Sequence, residues 1–145
     1  MGQRKRTTAE ARKEATKVQY FAKLNNCQSS PRKMRLIADM IRGMKAEQAL
    51  GVLKYAPQEA SVKMHKLLLS AISNWQHKNE SVRMEDASLY VKEVMVDGGR
   101  ILKRMQPRAK GMGNRILKRS NHVTLYLGSK TAEVSESEKT GIDNK

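Results

Sequence analysis

The sequence predicts an α+β fold, and three observations predict it. Apolar residues recur at helical spacing in three segments between about residues 31 and 78. The character changes after Asn79, where two Val- and Leu-rich segments alternate as strands do. Between those strands lies "LKRMQPRAKGMGNRILKRS", Leu102 to Ser120, which is crowded with Lys and Arg, has a glycine-rich middle and holds no carboxylate. The first two observations place helices beside strands. The third is too basic for an ordinary surface and too polar for a core.

The elements follow in chain order. Residues 1–17 are basic and lack a hydrophobic pattern, so they form a flexible arm or a short polar helix. "YFAKLNNC", Tyr20 to Cys27, puts Tyr20, Ala22 and Leu24 on one side of a strand. "SSPRKMRLIADMIRG" carries helix signals at both ends. Ser30 suits the N-cap, Pro31 the first helical position and Gly43 the C-terminal stop. Met34, Ile37, Ala38 and Ile41 share one face of it, with Arg32, Lys33 and Arg35 turned away. A second helix runs from about Ala46 to Tyr55 with Ala46, Ala49, Leu50 and Leu53 inward. Pro57 opens a third, to about Lys78, burying Ala60, Met64, Leu67, Leu68, Ala71, Ile72 and Trp75. The strands Ser88–Asp97 and His122–Gly128 then pair antiparallel with Val96 opposite Val123. Counting outward puts Ile101 opposite Lys118 and Met105 opposite Asn114, with a turn near Ala109 and Lys110 and a positive φ at Gly111. The basic stretch is thus the far end of a long hairpin, residues 98–120, whose arms reach roughly 30 Å at about 3.3 Å per residue. An isolated two-stranded ribbon is marginal in water. It is therefore expected to be disordered alone and ordered among phosphates. Residues 18–130 make one globular domain, and 131–145 an acidic mobile tail.

Charge narrows the function. Lys plus Arg number 29 against 14 Asp plus Glu, a formal net charge of +15 on 145 residues. Self-repulsion of that size calls for a polyanion, with nucleic acid first and an anionic membrane surface its rival. Only 4% of residues are aromatic, which disfavours base-stacking platforms and favours recognition of backbone and shape by Arg and Lys. The longest apolar run, "LLLSAI", is too short to span a bilayer, and the helices lack an exposed apolar face with basic borders, so no membrane partner is expected. No apolar segment marks residues 1–18 as a secretory signal, and the single cysteine, Cys27, fits a reducing compartment.

Nothing in the sequence converges on catalysis. His65, His77, His122 and Cys27 lack metal-ligand spacing. Gly111-Met112-Gly113 is not followed by the Lys-Ser/Thr of a phosphate-binding loop. No catalytic residue, metal or cofactor is expected. The cations expected to hold nucleic acid are Arg32, Lys33 and Arg35 on the first periodic helix, and Arg100, Lys103, Arg104, Arg108, Lys110, Arg115, Lys118 and Arg119 on the hairpin. His122, at the hairpin's base, suits a phosphate contact and a structural hydrogen bond equally. A DNA-architectural protein inserting a basic ribbon into a groove remains the alternative, although no dimer seam is evident.

The motifs "SPRKMRLIADMIRG", "SAISNWQHKN" and "LKRMQPRAKGMGNRILKRSNHVTLYL", in that order, resemble the bacterial large-subunit ribosomal protein twenty-two family, and the likeness runs from Tyr20 to Leu127. The resemblance implies three helices packed on a small three-stranded antiparallel sheet, with a long protruding hairpin. It implies a structural constituent of the large subunit in the cytoplasm, with a role in assembly. Ribosomal RNA, neighbouring large-subunit proteins and the nascent polypeptide would be its partners. The globular part would sit near the tunnel exit. The hairpin would line the tunnel through Leu102, Lys103, Arg104, Pro107, Arg108, Ala109, Lys110, Gly111 and Met112, a region associated in the family with macrolide resistance. The chain departs from the family pattern at Asp97-Gly98-Gly99-Arg100, at Met112-Gly113 and at Ser120-Asn121-His122.

Overall fold

A computed structural model describes residues 3–80, 82 and 87–129. The expected acidic tail, 131–145, lies outside them. Helix α1 (Gln3–Val18) leads into strand β1 (Tyr20–Cys27). Helices α2 (Pro31–Ile41), α3 (Ala46–Tyr55) and α4 (Glu59–Lys78) follow, then β2 (Leu89–Pro107), a 3-10 turn (Ala109–Gly111) and β3 (Gly113–Ser129). The strands form one antiparallel sheet in the order β1-β3-β2. The class is α+β, as expected, but the described residues hold four α-helices rather than three.

The additional helix is α1, the second of the two readings offered for residues 1–17. Its sequence is polar all round, so local pairs must support it. Arg6 and Glu10 form an ion pair (2.9 Å) one turn apart, and the Thr8 and Thr16 hydroxyls donate to the Arg4 and Arg12 carbonyls.

Helix α2 starts at Pro31 and turns out of helical geometry at Arg42 and Gly43, the latter at φ +79°. Met34, Ile37, Ala38 and Ile41 are all buried, as the spacing requires. The expected start of α4 at Pro57 is two residues early. Ala56 still caps α3 through its N–H to the Val52 carbonyl, and Pro57 occupies the link. The Ser61 hydroxyl ties that link down by donating to the Gln58 (2.6 Å) and Ala56 (3.0 Å) carbonyls. Ser61 is fully buried, which an apolar periodicity could not reveal.

The helices cover one sheet face. Met64, Leu68, Ala71 and Trp75 of α4 join Val91 and Val94 of β2 and Val123, Leu125 and Leu127 of β3 in a single core. Burying each aliphatic side chain of this kind stabilises by about 1.5–3 kcal/mol. The outer edge of β2 is occupied. Gly43 donates to the Val91 carbonyl and Val91 to the Met44 carbonyl, both at 2.9 Å. Arg42 and Arg35 donate to the Val94 and Val96 carbonyls, both at 3.1 Å. These contacts close an edge that would otherwise recruit other strands.

Candidate nucleic-acid interface

The pairing of β1 ends at Cys27↔Asn121, whereas β2 and β3 continue to Pro107↔Gly113. Beyond Asn121 the sheet is therefore a two-stranded ribbon, exposed throughout from Ile101 to Arg119. Val96 faces Val123, as expected, but Ile101 faces Arg119 rather than Lys118, and Met105 faces Arg115 rather than Asn114. The reason is a β-bulge. Gly99 and Arg100 together oppose Ser120, so everything beyond is displaced by one residue. A side chain at Gly99 would meet the Ser120 Oγ at 2.7 Å and the Ser120 and Asn121 backbone at 3.1 and 3.2 Å. The Ser120 hydroxyl closes the bulge by donating to the Arg100 carbonyl.

The displacement decides which side chains meet. In the unbulged register Arg104 would face Arg115, and like charges directly opposite destabilise a ladder. In the observed register every paired cation from Ile101 to Arg115 has an apolar partner. Arg119 faces Ile101, Lys118 faces Leu102, Lys103 faces Leu117, Arg104 faces Ile116 and Arg115 faces Met105. Because side chains alternate sides, Lys103, Arg115 and Arg119 lie on one face and Arg104 and Lys118 on the other. Both faces are thus positive, and no ion pair among the described residues involves a ribbon cation.

The ribbon ends in a tight turn closed by the Arg108 N–H to the Met112 carbonyl (2.7 Å). Gly111 takes a positive φ, as expected, and so does Lys110 at +60°. The residues expected to line the tunnel fall in two parts of the hairpin. Arg108, Ala109, Lys110, Gly111 and Met112 form the turn beyond the last pair, Pro107↔Gly113, while Leu102, Lys103 and Arg104 lie in the arm, paired with Lys118, Leu117 and Ile116. The Met105 methyl lies over Gly113, where a Cβ would approach it to 2.8 Å.

A second bulge mirrors the first across β3. Asn25 and Asn26 of β1 together oppose His122, and Asn26 takes φ +53°. The Asn26 N–H donates to His122 Nδ1 (3.1 Å), which leaves the ring proton on Nε2. His122 therefore makes the structural hydrogen bond, with Nε2–H left as a donor. Buried Asn121 donates from Nδ2 to the Ser29 carbonyl (2.8 Å) and hydroxyl (2.9 Å). Between the two bulges an open cleft of about 480 Å³ is lined by Asn26, Gln28, Arg100, Leu102, Lys118, Arg119 and Ser120.

On α2, Arg32 and Lys33 are exposed, whereas Arg35 spends one N–H on Val96 and keeps others for solvent. Among the described residues no three His, Cys, Asp or Glu side chains gather where a metal could sit. Lys23, Lys63 and Lys66, outside the cations expected from the sequence, share a groove between β1 and α4. Their only sequence signal is the three-residue spacing of Lys63 and Lys66.

Residues 22–128 match the family model described as ribosomal protein L22p/L17e. The chain belongs to this family. It is 60% identical over 129 residues to the large ribosomal subunit protein uL22 of Flavobacterium johnsoniae, covering 89% of this chain and 94% of that one. It is 59% identical over 131 residues to the protein of that name from Bacteroides fragilis, covering 90% and 96%. With that of Porphyromonas gingivalis the identity is 58% over 127 residues, covering 88% and 94%. The family is structural rather than enzymatic, and the matched span includes all but the outermost residues of the sheet, the two bulges at the ribbon's base and the whole ribbon.

Proposed function

We propose that this chain is a structural constituent of the large ribosomal subunit in the cytoplasm, that it binds ribosomal RNA through its ribbon, and that it aids subunit assembly. Family membership supports the ribosomal role. The observation that carries RNA binding is the cross-strand arrangement of the ribbon, where cations alternate with aliphatics on both faces and no carboxylate neutralises them. Such a ribbon suits a site walled by phosphate on two sides. Arg100, Lys103, Arg104, Arg115, Lys118 and Arg119 are the gripping residues on its arms. Arg32, Lys33 and Arg35 offer a second contact from α2, and His122 a hydrogen bond from Nε2. The globular body would lie near the tunnel exit beside neighbouring large-subunit proteins. The turn from Pro107 to Met112, with Leu102–Arg104 behind it, would border the passage of the nascent chain.

Binding to large-subunit ribosomal RNA is the test. With on the order of 6 to 10 phosphate contacts, affinity falls roughly 10³- to 10⁵-fold between 50 and 200 mM salt. The protein is also expected to sediment with large-subunit particles through high salt. A flat salt response, or sedimentation with the nucleoid instead, would refute the reading.

A further inference from the structure

We propose that the RNA-binding track does not stop at the ribbon, but continues across the end of β1 into the groove between β1 and α4, where it holds the sugar–phosphate backbone of one RNA strand. The inference rests on the RNA-binding reading above and extends it to residues outside the ribbon and α2.

The groove encloses about 520 Å³ and is lined by Lys23, Leu24, Asn25, Asn26, Cys27, Gln28, Lys63, Lys66, Leu67 and Ser70. Asn26 and Gln28 also line the cleft at the ribbon's base, so the two concavities share a wall. Together they present Lys23, Lys63, Lys66, Arg100, Lys118 and Arg119, and no carboxylate lines either one. Glu59 does pair with Lys63 at 2.7 Å, but the carboxylate is 83% exposed. Lys23 and Lys66 remain unneutralised, with Lys23 resting 5.3 Å from the centre of the Phe21 ring.

The shared wall is what favours RNA over an acidic polypeptide. Asn25, Asn26 and Gln28 are exposed amides, and an amide both donates and accepts, as a ribose 2′-hydroxyl does. Asn25 and Asn26 form the β1 bulge, and His122 holds it through the Asn26 N–H. Cations and amides in one lining offer partners for phosphate and ribose alike.

The test compares three double variants of the full-length protein on transcribed large-subunit ribosomal RNA: Lys23→Gln with Lys66→Gln in the groove, Arg104→Ala with Arg115→Ala on the ribbon, and Lys54→Gln with Lys92→Gln away from both. Each removes two positive charges from exposed positions, and circular dichroism confirms the fold. The groove pair is expected to lower the slope of log affinity against log salt by about 1.4–1.8, the loss of two phosphate contacts. The control pair is expected to leave the slope unchanged. A groove pair that behaves like the control while the ribbon pair lowers the slope overturns the extended track and leaves the ribbon reading intact. A wild-type protein with no salt dependence overturns the RNA reading itself.

Discussion

Strand β3 belongs to two different regions of the molecule. From Val123 to Leu127 it sets Val123, Leu125 and Leu127 against the helices, while Thr124 and Tyr126 are half-buried on the other side. From Arg115 to Arg119 it pairs with the same neighbour, β2, yet buries nothing. In the body the two faces of the strand differ and burial holds them. In the ribbon the faces are alike, and only the ladder and its cross-strand pairs hold it together. Stability is therefore concentrated in one half of the strand and charge in the other.

The largest expected effect is in local stability. In the free protein the Leu125 amide is expected to exchange only through global unfolding, on the order of 5–15 kcal/mol, whereas amides from Lys103 to Arg115 exchange with almost no protection. Binding to ribosomal RNA should slow the second set. Strong protection of the ribbon without RNA would erase the contrast.

Next comes the division within the ribbon. Arg104→Ala or Arg115→Ala on the arms should weaken incorporation into the subunit, each losing about 1.5–3 kcal/mol for a charged hydrogen bond. Lys110→Ala or Met112→Ala at the turn should leave particle occupancy nearly unchanged and alter macrolide sensitivity instead. Occupancy lost at the turn and kept on the arms would reverse the assignment.

The bulge offers a sharper test at about 1–3 kcal/mol, the usual cost of forcing a side chain into filled space. Gly99→Ala must displace Ser120 and is expected to lower the unfolding midpoint or loosen the ribbon's amides. Gly98→Ala, one residue earlier, meets nothing within 4 Å and should be tolerated. Equal effects at the two glycines would show that the bulge does not set the register.

The smallest effect lies on the surface of α4. Lys63 beside Glu59 holds that carboxyl below its ordinary range, and Glu59 in turn raises the lysine. The carboxylate's contribution is present above the unfolded value and is lost as pH falls through the lowered one. The lysine's is present below its unfolded value and is lost as pH rises through the raised one. Both groups face water, so Glu59→Gln should change the acid limb of the stability curve only slightly.

Helix limits were legible wherever chemistry marks them. Pro31 and Gly43 bracket α2, and the buried apolar sets of α2 and α4 follow from their spacing, whereas Leu50 of α3, expected inward, is only half-buried. Pro57 misled because proline suits both a first helical position and a link, and only the Ser61 hydroxyl shows which applies. The strand pairing at Val96 and Val123 was legible from alternation, but the register beyond it was not. A Gly-Gly pair does not announce that one glycine stands against Ser120. The ribbon cations stood out because no acid interrupts them. The groove of Lys23 and Lys66 did not, because it exists only once β1 lies beside α4.

The Gly99–Arg100 bulge has a consequence for how this protein can change length. Side chains in a strand repeat every two residues, so one added residue works as a half-turn of phase. The ribbon is already set one step out of phase with the sheet, and that step keeps Arg104 away from Arg115. A single insertion or deletion in one arm would act like a frameshift in a reading frame, exchanging the two faces and the cross-strand partners of every residue between it and the next compensating change. Matched changes in both arms would only lengthen or shorten the ribbon. Across relatives, ribbon lengths should therefore differ by paired steps, with unpaired ones accompanied by a second bulge.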